Sequence, residues 1–193
     1  MTVGFFTVGH SNRSLDEFID ILEGAGIDLV IDVRAFPRSR ENPSFNIDTL
    51  PDSLAAAGIS YEHCRDLGGR RGRQPDVPKE LNSFWRNESF HNYADYALSG
   101  PFRDALGEIT GDGVSSDIAL MCSEAAWWRC HRRIISDYLV LGGFEVQHLM
   151  APNRSVAAVA TPGAVFTSEG NVIYPAEPTG GTAATGDRDA GCC

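Results

Sequence analysis

The sequence predicts an α/β protein: a mainly parallel sheet of about five strands with helices on both faces, plus a C-terminal β-hairpin. Three observations carry this prediction. The runs Ile27-Asp-Leu-Val-Ile-Asp-Val33 and Ile118-Ala-Leu-Met-Cys122 are almost continuously apolar, as parallel strands covered on both faces require. Stretches with apolar residues at helical spacing lie between the strands. The resulting order is strand, helix, strand, helix, strand, a long loop, two helices, strand, helix, strand. That is the signature of βαβ units joined by right-handed crossovers.

The elements follow in order. Residues 3–8 are an apolar run that Gly9-His10-Ser11 breaks. Ser14 caps the next helix, with Glu17 as its capping-box partner. Leu15, Phe18, Ile19 and Leu22 then share one helix face until Gly24 and Gly26 stop it. The second strand spans 27–33, and a weaker helix over 48–57 ends at Gly58. Residues 59–64 read as the third strand. The segment 65–88 is Gly-, Pro- and Arg-rich and has no period, a length of loop that tends to be functional. Helices are expected over 90–98 and 102–109, the fourth strand over 118–122, and a helix over 127–141 stopped by Gly142-Gly143. Residues 144–150 form the fifth strand. A hairpin is expected over 164–174, turning near 168–171. Residues 175–193, small and polar, are expected to be a disordered tail beyond a single domain spanning 1–174.

Bulk composition narrows the function. The chain has 193 residues, the size of one domain, and a net charge of -10, which argues against broad affinity for duplex DNA or anionic membranes. No apolar run reaches membrane-spanning length, and the N-terminus reads as a first strand rather than a secretory leader. A cytoplasmic protein is expected, whose five cysteines are reduced. Lys79 is the one lysine among the 16 basic residues. Arginine grips carboxylates and phosphates in a fixed fork, so this bias fits anion contacts, although a GC-rich coding bias would produce it too.

Chemistry concentrates at the strand ends. In open α/β sheets ligands bind beyond the carboxyl ends of the strands. Here those ends carry His10 and Ser11, Asp32 and Arg34, Cys122 and Glu124, and His148, with Cys130, His131 and Arg132 at the next helix start. Asp32 and Arg34 alternate around Val33 and share a face. Either they pair with each other, or Arg34 holds an anion while Asp32 serves as acid or base. Glu124 is a candidate nucleophile or general base; His10, Cys122 and His131 complete the candidate catalytic set. Ser11, Arg34, Ser39, Gly68, Gly69, Arg70, Cys130, Arg132 and His148 are the candidate substrate contacts. His148 also reads as a satisfied core histidine, and Cys122 as a small buried residue.

Five motifs in this order and spacing give the chain a family resemblance. They are Thr7-Val-Gly-His-Ser11; Ile31-Asp-Val-Arg34 with Pro37 and Ser39; Tyr61 with Leu67-Gly-Gly69; Leu120-Met-Cys-Ser-Glu124; and Cys130-His-Arg132 with His148. The chain resembles the domain-of-unknown-function family numbered 488 over a core of about residues 5–150. The resemblance implies a fold and a residue set rather than a reaction. It also implies an association of some members with DNA-repair or iron–sulfur genes.

The same residues bear on other chemistries. A phosphatase- or rhodanese-like cysteine loop is disfavoured: six residues separate Cys122 from Arg129 where such loops have five, no glycine lies between, and Glu124 would put negative charge in the cradle. A metal site would draw on Cys122, Cys130, His131, His10 and His148, a donor set suited to zinc or iron, but without a CxxC knuckle. No cofactor is therefore predicted. Seven of the 15 arginines lie between Arg34 and Arg73, with Trp85, Phe90, Tyr93 and Tyr96 nearby; these aromatics fit stacking of bases, and better fit a helix core. The leading expectation is a hydrolase or group transferase acting on an anionic, phosphate-bearing substrate such as a nucleotide or damaged nucleic acid. The partner would be a small anionic molecule or a nucleic-acid end, with no membrane involved. A non-catalytic nucleotide- or anion-binding module and a transition-metal protein are the alternatives.

Overall fold

Strand β4 (Ile118–Cys122) is buried at every position and forms the middle of the molecule. The computed structural model describes residues 4–111 and 116–176. β4 pairs in parallel with β1 (Phe5–Gly9) on one side and β2 (Leu29–Asp32) on the other. β3 (Ser60–His63) extends the sheet beyond β2, and β5 (Val146–Ala151) lies against β1, both parallel. An antiparallel edge strand, β6 (Arg154–Ala157), completes the six-stranded order β3-β2-β4-β1-β5-β6.

Helices cover both faces. On one side α1 (Leu15–Gly24) and α2 (Leu50–Ala56) bury Phe18, Ile21, Leu22, Leu50 and Leu54 against Val8, Val30, Ala119 and Met121. On the other, α3 (Glu88–Tyr96), α4 (Gly100–Thr110) and α5 (Arg132–Leu141) bury Phe90, Tyr93, Phe102, Ile134 and Ile135 against Phe5, Ile31, Ile118 and Leu120. The alternation of strand side chains between these two clusters is the period of two expected of a pleated sheet. Ser14 accepts the Glu17 N–H as the predicted cap of α1, a contact worth about 1 kcal/mol.

The chain leaves β1 and β2 towards the α1–α2 face and leaves β4 towards the α5 face. Neighbouring strands whose connections diverge open a crevice at their carboxyl ends, the place where open α/β sheets bind ligands.

Two elements differ from expectation. The helix expected from residue 127 starts at Arg132, after a 3-10 turn over Trp127–Arg129. Cys130 between them is extended, which turns its side chain into the core at the end of β4. Strand β6 was not expected: all four of its residues are exposed, so no buried alternation marks it. It forms because Asn153, at φ 55°, closes a tight turn after β5.

The C-terminal hairpin is present as β7 (Val165–Phe166) and β8 (Val172–Ile173). Just beyond it the Tyr174 hydroxyl donates to buried Asp137 at 2.8 Å, and the second Asp137 oxygen accepts the Thr161 N–H. Residues 177–193, most of the predicted tail, lie outside the described residues, as do Cys192 and Cys193. Replacing Tyr174 with Phe removes the hydroxyl bond to buried Asp137. The expected cost is about 1–2 kcal/mol in urea denaturation. An unchanged midpoint would show that this bond does not fasten the hairpin.

Candidate active site

Parallel pairing continues past the ends of the strands. The N–H groups of His10 and Ser11 donate to the carbonyls of Cys122 and Ser123, at 3.0 and 2.9 Å, and the Val33 N–H donates to Met121 at 2.9 Å. These bonds hold the residues after β1, β2 and β4 side by side. Gly9 is required here: a Cβ would meet the Glu124 carbonyl oxygen at 2.0 Å. Ser11 takes a left-handed conformation, φ 47°, as the chain turns away.

Asp32 and Arg34 form the buried pair that the sequence left as one of two readings. The Arg34 Nε and Nη2 atoms donate to Asp32, the shortest contact being 2.6 Å, and the Arg34 backbone N–H adds a third donor. The Tyr61 hydroxyl donates to the same carboxylate at 2.7 Å. Both oxygens of Asp32 are thus occupied, and the carboxylate fixes the Arg34 guanidinium in place. Arg34 Nη2 also donates to the Phe45 carbonyl, leaving Nη1 to donate to His10 Nε2 at 3.3 Å. His10 Nδ1–H donates to the Ser11 carbonyl at 2.9 Å, so both partners select the same neutral tautomer. The His10 ring stacks on Phe45 with centroids 4.3 Å apart. Burial, and then the Arg34 charge, lower its pKa to about 4.

Behind this pair, Cys122, Cys130 and His131 gather their donor atoms within 4.8 Å of one another. His131 Nε2–H donates to the Val33 carbonyl at 2.9 Å, which leaves the Nδ1 lone pair facing Cys130 Sγ at 3.5 Å. Arg132 is 1% exposed; its Nε donates to Cys130 Sγ at 3.4 Å and its Nη2 to the Glu124 carbonyl. Burial opposes ionisation of Cys130, but the hydrogen bond from Cys122 and the Arg132 charge outweigh it, so its pKa is lowered. The hydrogen bond to Cys130, and then burial, push the Cys122 thiol well up.

A cavity of about 330 Å³ opens in front of these groups. His10, Arg34, Cys122, Ser123 and His131 form its floor, Ser39, Gly69 and Arg70 one rim, and Phe36, Phe90 and Tyr93 an aromatic wall. Phe90 and Tyr93 are the helix-core residues expected from sequence, and they also line the cavity. The first residues of the segment 65–88 are tied to α3. Tyr93 and Tyr96 donate to the carbonyls of Leu67 and Asp66 at 2.6 and 2.9 Å, and Arg71 lies over the Tyr96 ring. Arg70, exposed and at φ 59°, reaches over Phe36 and has no carboxylate partner among the described residues.

Several predicted residues sit elsewhere. Glu124 is outside the lining; its carboxylate accepts the Ala126 N–H at 3.1 Å and shapes the turn before α5. Cys130 and Arg132 lie behind the cavity floor rather than in it. Gly68 backs the rim, where a Cβ would press on Arg65 and Ala35. Ser11 contributes its carbonyl to His10. His148 is in the core: it is bonded to Thr7 Oγ1 at 2.8 Å and stacked on Trp127 at 4.0 Å, and its pKa is lowered to about 4 by burial and then by Arg132. Sequence reading missed Phe36, Arg38, Ser89 and Ser123 as lining residues. The one available signal was the position of Phe36 and Arg38 directly after a strand that ends in Asp32 and Arg34.

The fold and site thus define an open α/β protein with an arginine-lined cavity at the carboxyl edge of its sheet. A family model, domain of unknown function DUF488, matches residues 14–139, and the chain belongs to that family. The match stops short of both His10 and His148, although the sheet joins them to the matched core. No curated protein and no solved structure matches the chain.

Two outcomes are expected. Asp32→Asn strips the counter-charge from buried Arg34 and should lower stability by about 3 kcal/mol in chemical denaturation, against about 1 kcal/mol for Tyr61→Phe. Near-equal losses would show that the ion pair adds little to the hydrogen bonds. The second concerns pH. His148 has a folded pKa of about 4 against an ordinary 6.5, so the unfolded chain takes up the proton first. Its contribution is complete above pH 6.5 and is lost as pH falls towards 4. His148→Gln should flatten the stability–pH slope between about pH 6.5 and 5 by up to one proton. An unaltered slope would place the titration elsewhere.

Proposed function

We propose that the cavity binds an anionic, phosphate-bearing molecule, a nucleotide or damaged nucleic-acid end, and that the protein is a hydrolase or group transferase acting on it. The observation that carries this reading is the joint lining of one cavity by Arg34 and Arg70 and by the aromatic wall of Phe36, Phe90 and Tyr93. Arg34 is held rigid by Asp32, whereas Arg70 has no competing carboxylate among the described residues. A rigid guanidinium with a second, free one fits a phosphate group. Flat aromatic faces beside it fit a base. The volume suits a nucleotide-sized ligand. The group-transfer part of the reading rests on the floor, where Cys122 and His131 face the same space.

A specific observation favours a second reading. Among the described residues no carboxylate lines the cavity, so a binding module that performs no reaction has the same contacts to offer. Turnover separates the two. Titration calorimetry with inorganic phosphate and with nucleoside monophosphates should show binding that falls about tenfold in Arg70→Ala and weakens with salt. Release of phosphate or of a transferred group from the same ligands supports the enzyme; binding without turnover supports the module. Absence of any anion binding by the folded protein removes both.

A further inference from the structure

We propose that Cys122, Cys130 and His131 hold one divalent transition-metal ion of the zinc class, with its fourth coordination position open to the arginine-lined cavity. The three donor atoms lie within 4.8 Å of one another. Bonds of about 2.3 Å to sulfur and about 2.0–2.1 Å to nitrogen, at tetrahedral angles, separate the two donors by about 3.5 Å. Cys130 Sγ and His131 Nδ1 are 3.5 Å apart. Two thiols and an imidazole are a donor set that zinc and its neighbours prefer over harder ions.

The surroundings of the ligands are those of a metal site. Metal-binding imidazoles commonly donate their second ring N–H to a carbonyl, which fixes the tautomer and aims the free lone pair. His131 Nε2–H does this with the Val33 carbonyl. Gly69 packs on the ring so closely that a Cβ would lie 2.7 Å from Nδ1, so any side chain there would push the imidazole off the two sulfurs. Arg132 donates Nε–H to Cys130 Sγ, as outer-shell donors do to metal thiolates. No carboxylate oxygen lies within ion-pair distance of this buried guanidinium among the described residues. A divalent ion with two thiolates is neutral, so Arg132 leaves the assembly with one positive charge, the sign an anionic ligand requires.

The placement of the ligands gives the direction of the open position. Cys130 is fully buried on the closed side, while Cys122 and His131 line the cavity. Structural zinc sites are closed by four protein ligands, whereas catalytic ones have three and leave the fourth position to water or substrate. Three protein ligands are found here among the described residues. An ion so placed would polarise a phosphoryl oxygen or lower the pKa of a bound water. The site itself stands on the ligand geometry; only this use of the open position rests on the anion reading above.

The test uses the untagged full chain, purified under reductant without chelator. Elemental analysis should find one ion per chain. After removal and reloading with Co²⁺, the protein should show thiolate-to-cobalt charge transfer and tetrahedral d–d absorption. Cys122→Ser, Cys130→Ser and His131→Gln should each lose most of the bound ion, and Gly69→Ala should weaken Zn²⁺ binding about tenfold. The double variant Cys192→Ser/Cys193→Ser should retain the full equivalent. The proposal is overturned if the reduced, metal-free protein takes up neither Zn²⁺ nor Co²⁺. It is also overturned if the cobalt protein lacks thiolate charge transfer, or if the tail variant rather than the site variants loses the ion. Should a site variant fail to fold, the cobalt spectrum of the unmodified chain still decides. Phosphate binding by the metal-free protein tests the anion reading separately: metal uptake without phosphate binding keeps the ion and discards that reading.

Discussion

Parallel pairing of β4 with both β1 and β2 is the constraint on which the rest of the molecule depends. It is a long-range arrangement, since β4 (from Ile118) inserts between two strands that end at Gly9 and Asp32. Because all three run the same way, their carboxyl ends fall on one edge, and ladder bonds that outlast the strands hold the following residues in register. His10, Arg34 and Cys122 are therefore neighbours by backbone geometry, before any side-chain contact is made. The near contact between Gly9 and the Glu124 carbonyl shows how little slack this leaves. A side chain at that position would drive β1 from β4 and separate the groups that share the cavity.

The electrostatics follow from that geometry. Arg34 and Arg132 are both withdrawn from water, and a buried guanidinium without compensation costs several kcal/mol. Arg34 is compensated by a carboxylate two residues away, Arg132 by the sulfur of a cysteine two residues away. Arg34 lines the cavity floor and Arg132 lies behind it. Their rigidity differs from the exposed rim, where Arg70 answers to no carboxylate among the described residues. The floor thus carries a guanidinium fixed by its carboxylate, and the rim carries an adaptable one. The net charge of -10 over the whole chain does not set the potential in the cavity, because a cleft focuses that of its own lining groups.

Much of this was legible in the sequence, for reasons that separate cleanly. The strands β2 and β4 are apolar on both faces and therefore announce themselves, and the order of elements then implies a parallel sheet with one reactive edge. The spacing of Asp32 and Arg34 around Val33 already implied a shared face, though not that they would consume each other's hydrogen-bonding capacity. Strand β6 was hidden because an exposed edge carries no burial pattern. The start of α5 was hidden because Trp127 to Cys130 have acceptable helix propensity, and the requirement to turn Cys130 inward is a tertiary one. The inward cysteine was the consequential omission: with a helix from residue 127, Cys130 and Cys122 have no reason to meet.

The same turn accounts for the conflicting signals from the cysteine-rich segment. Read linearly, Cys122 to Arg129 has the wrong length and no glycine for an anion-cradling cysteine loop. In space the segment does not wrap an anion at all. Its carbonyl at Glu124 and its extended Cys130 point towards Arg132, so the backbone curls around a cation rather than around a substrate. Glu124, which would have repelled an anion inside such a cradle, instead ties the Ala126 N–H and stabilises the curl. The departure from a nucleophilic-cysteine loop and the convergence of two sulfurs on one imidazole therefore have a single structural cause. That cause places the arginines and the sulfur-bearing floor on the same cavity without asking either to do the other's work.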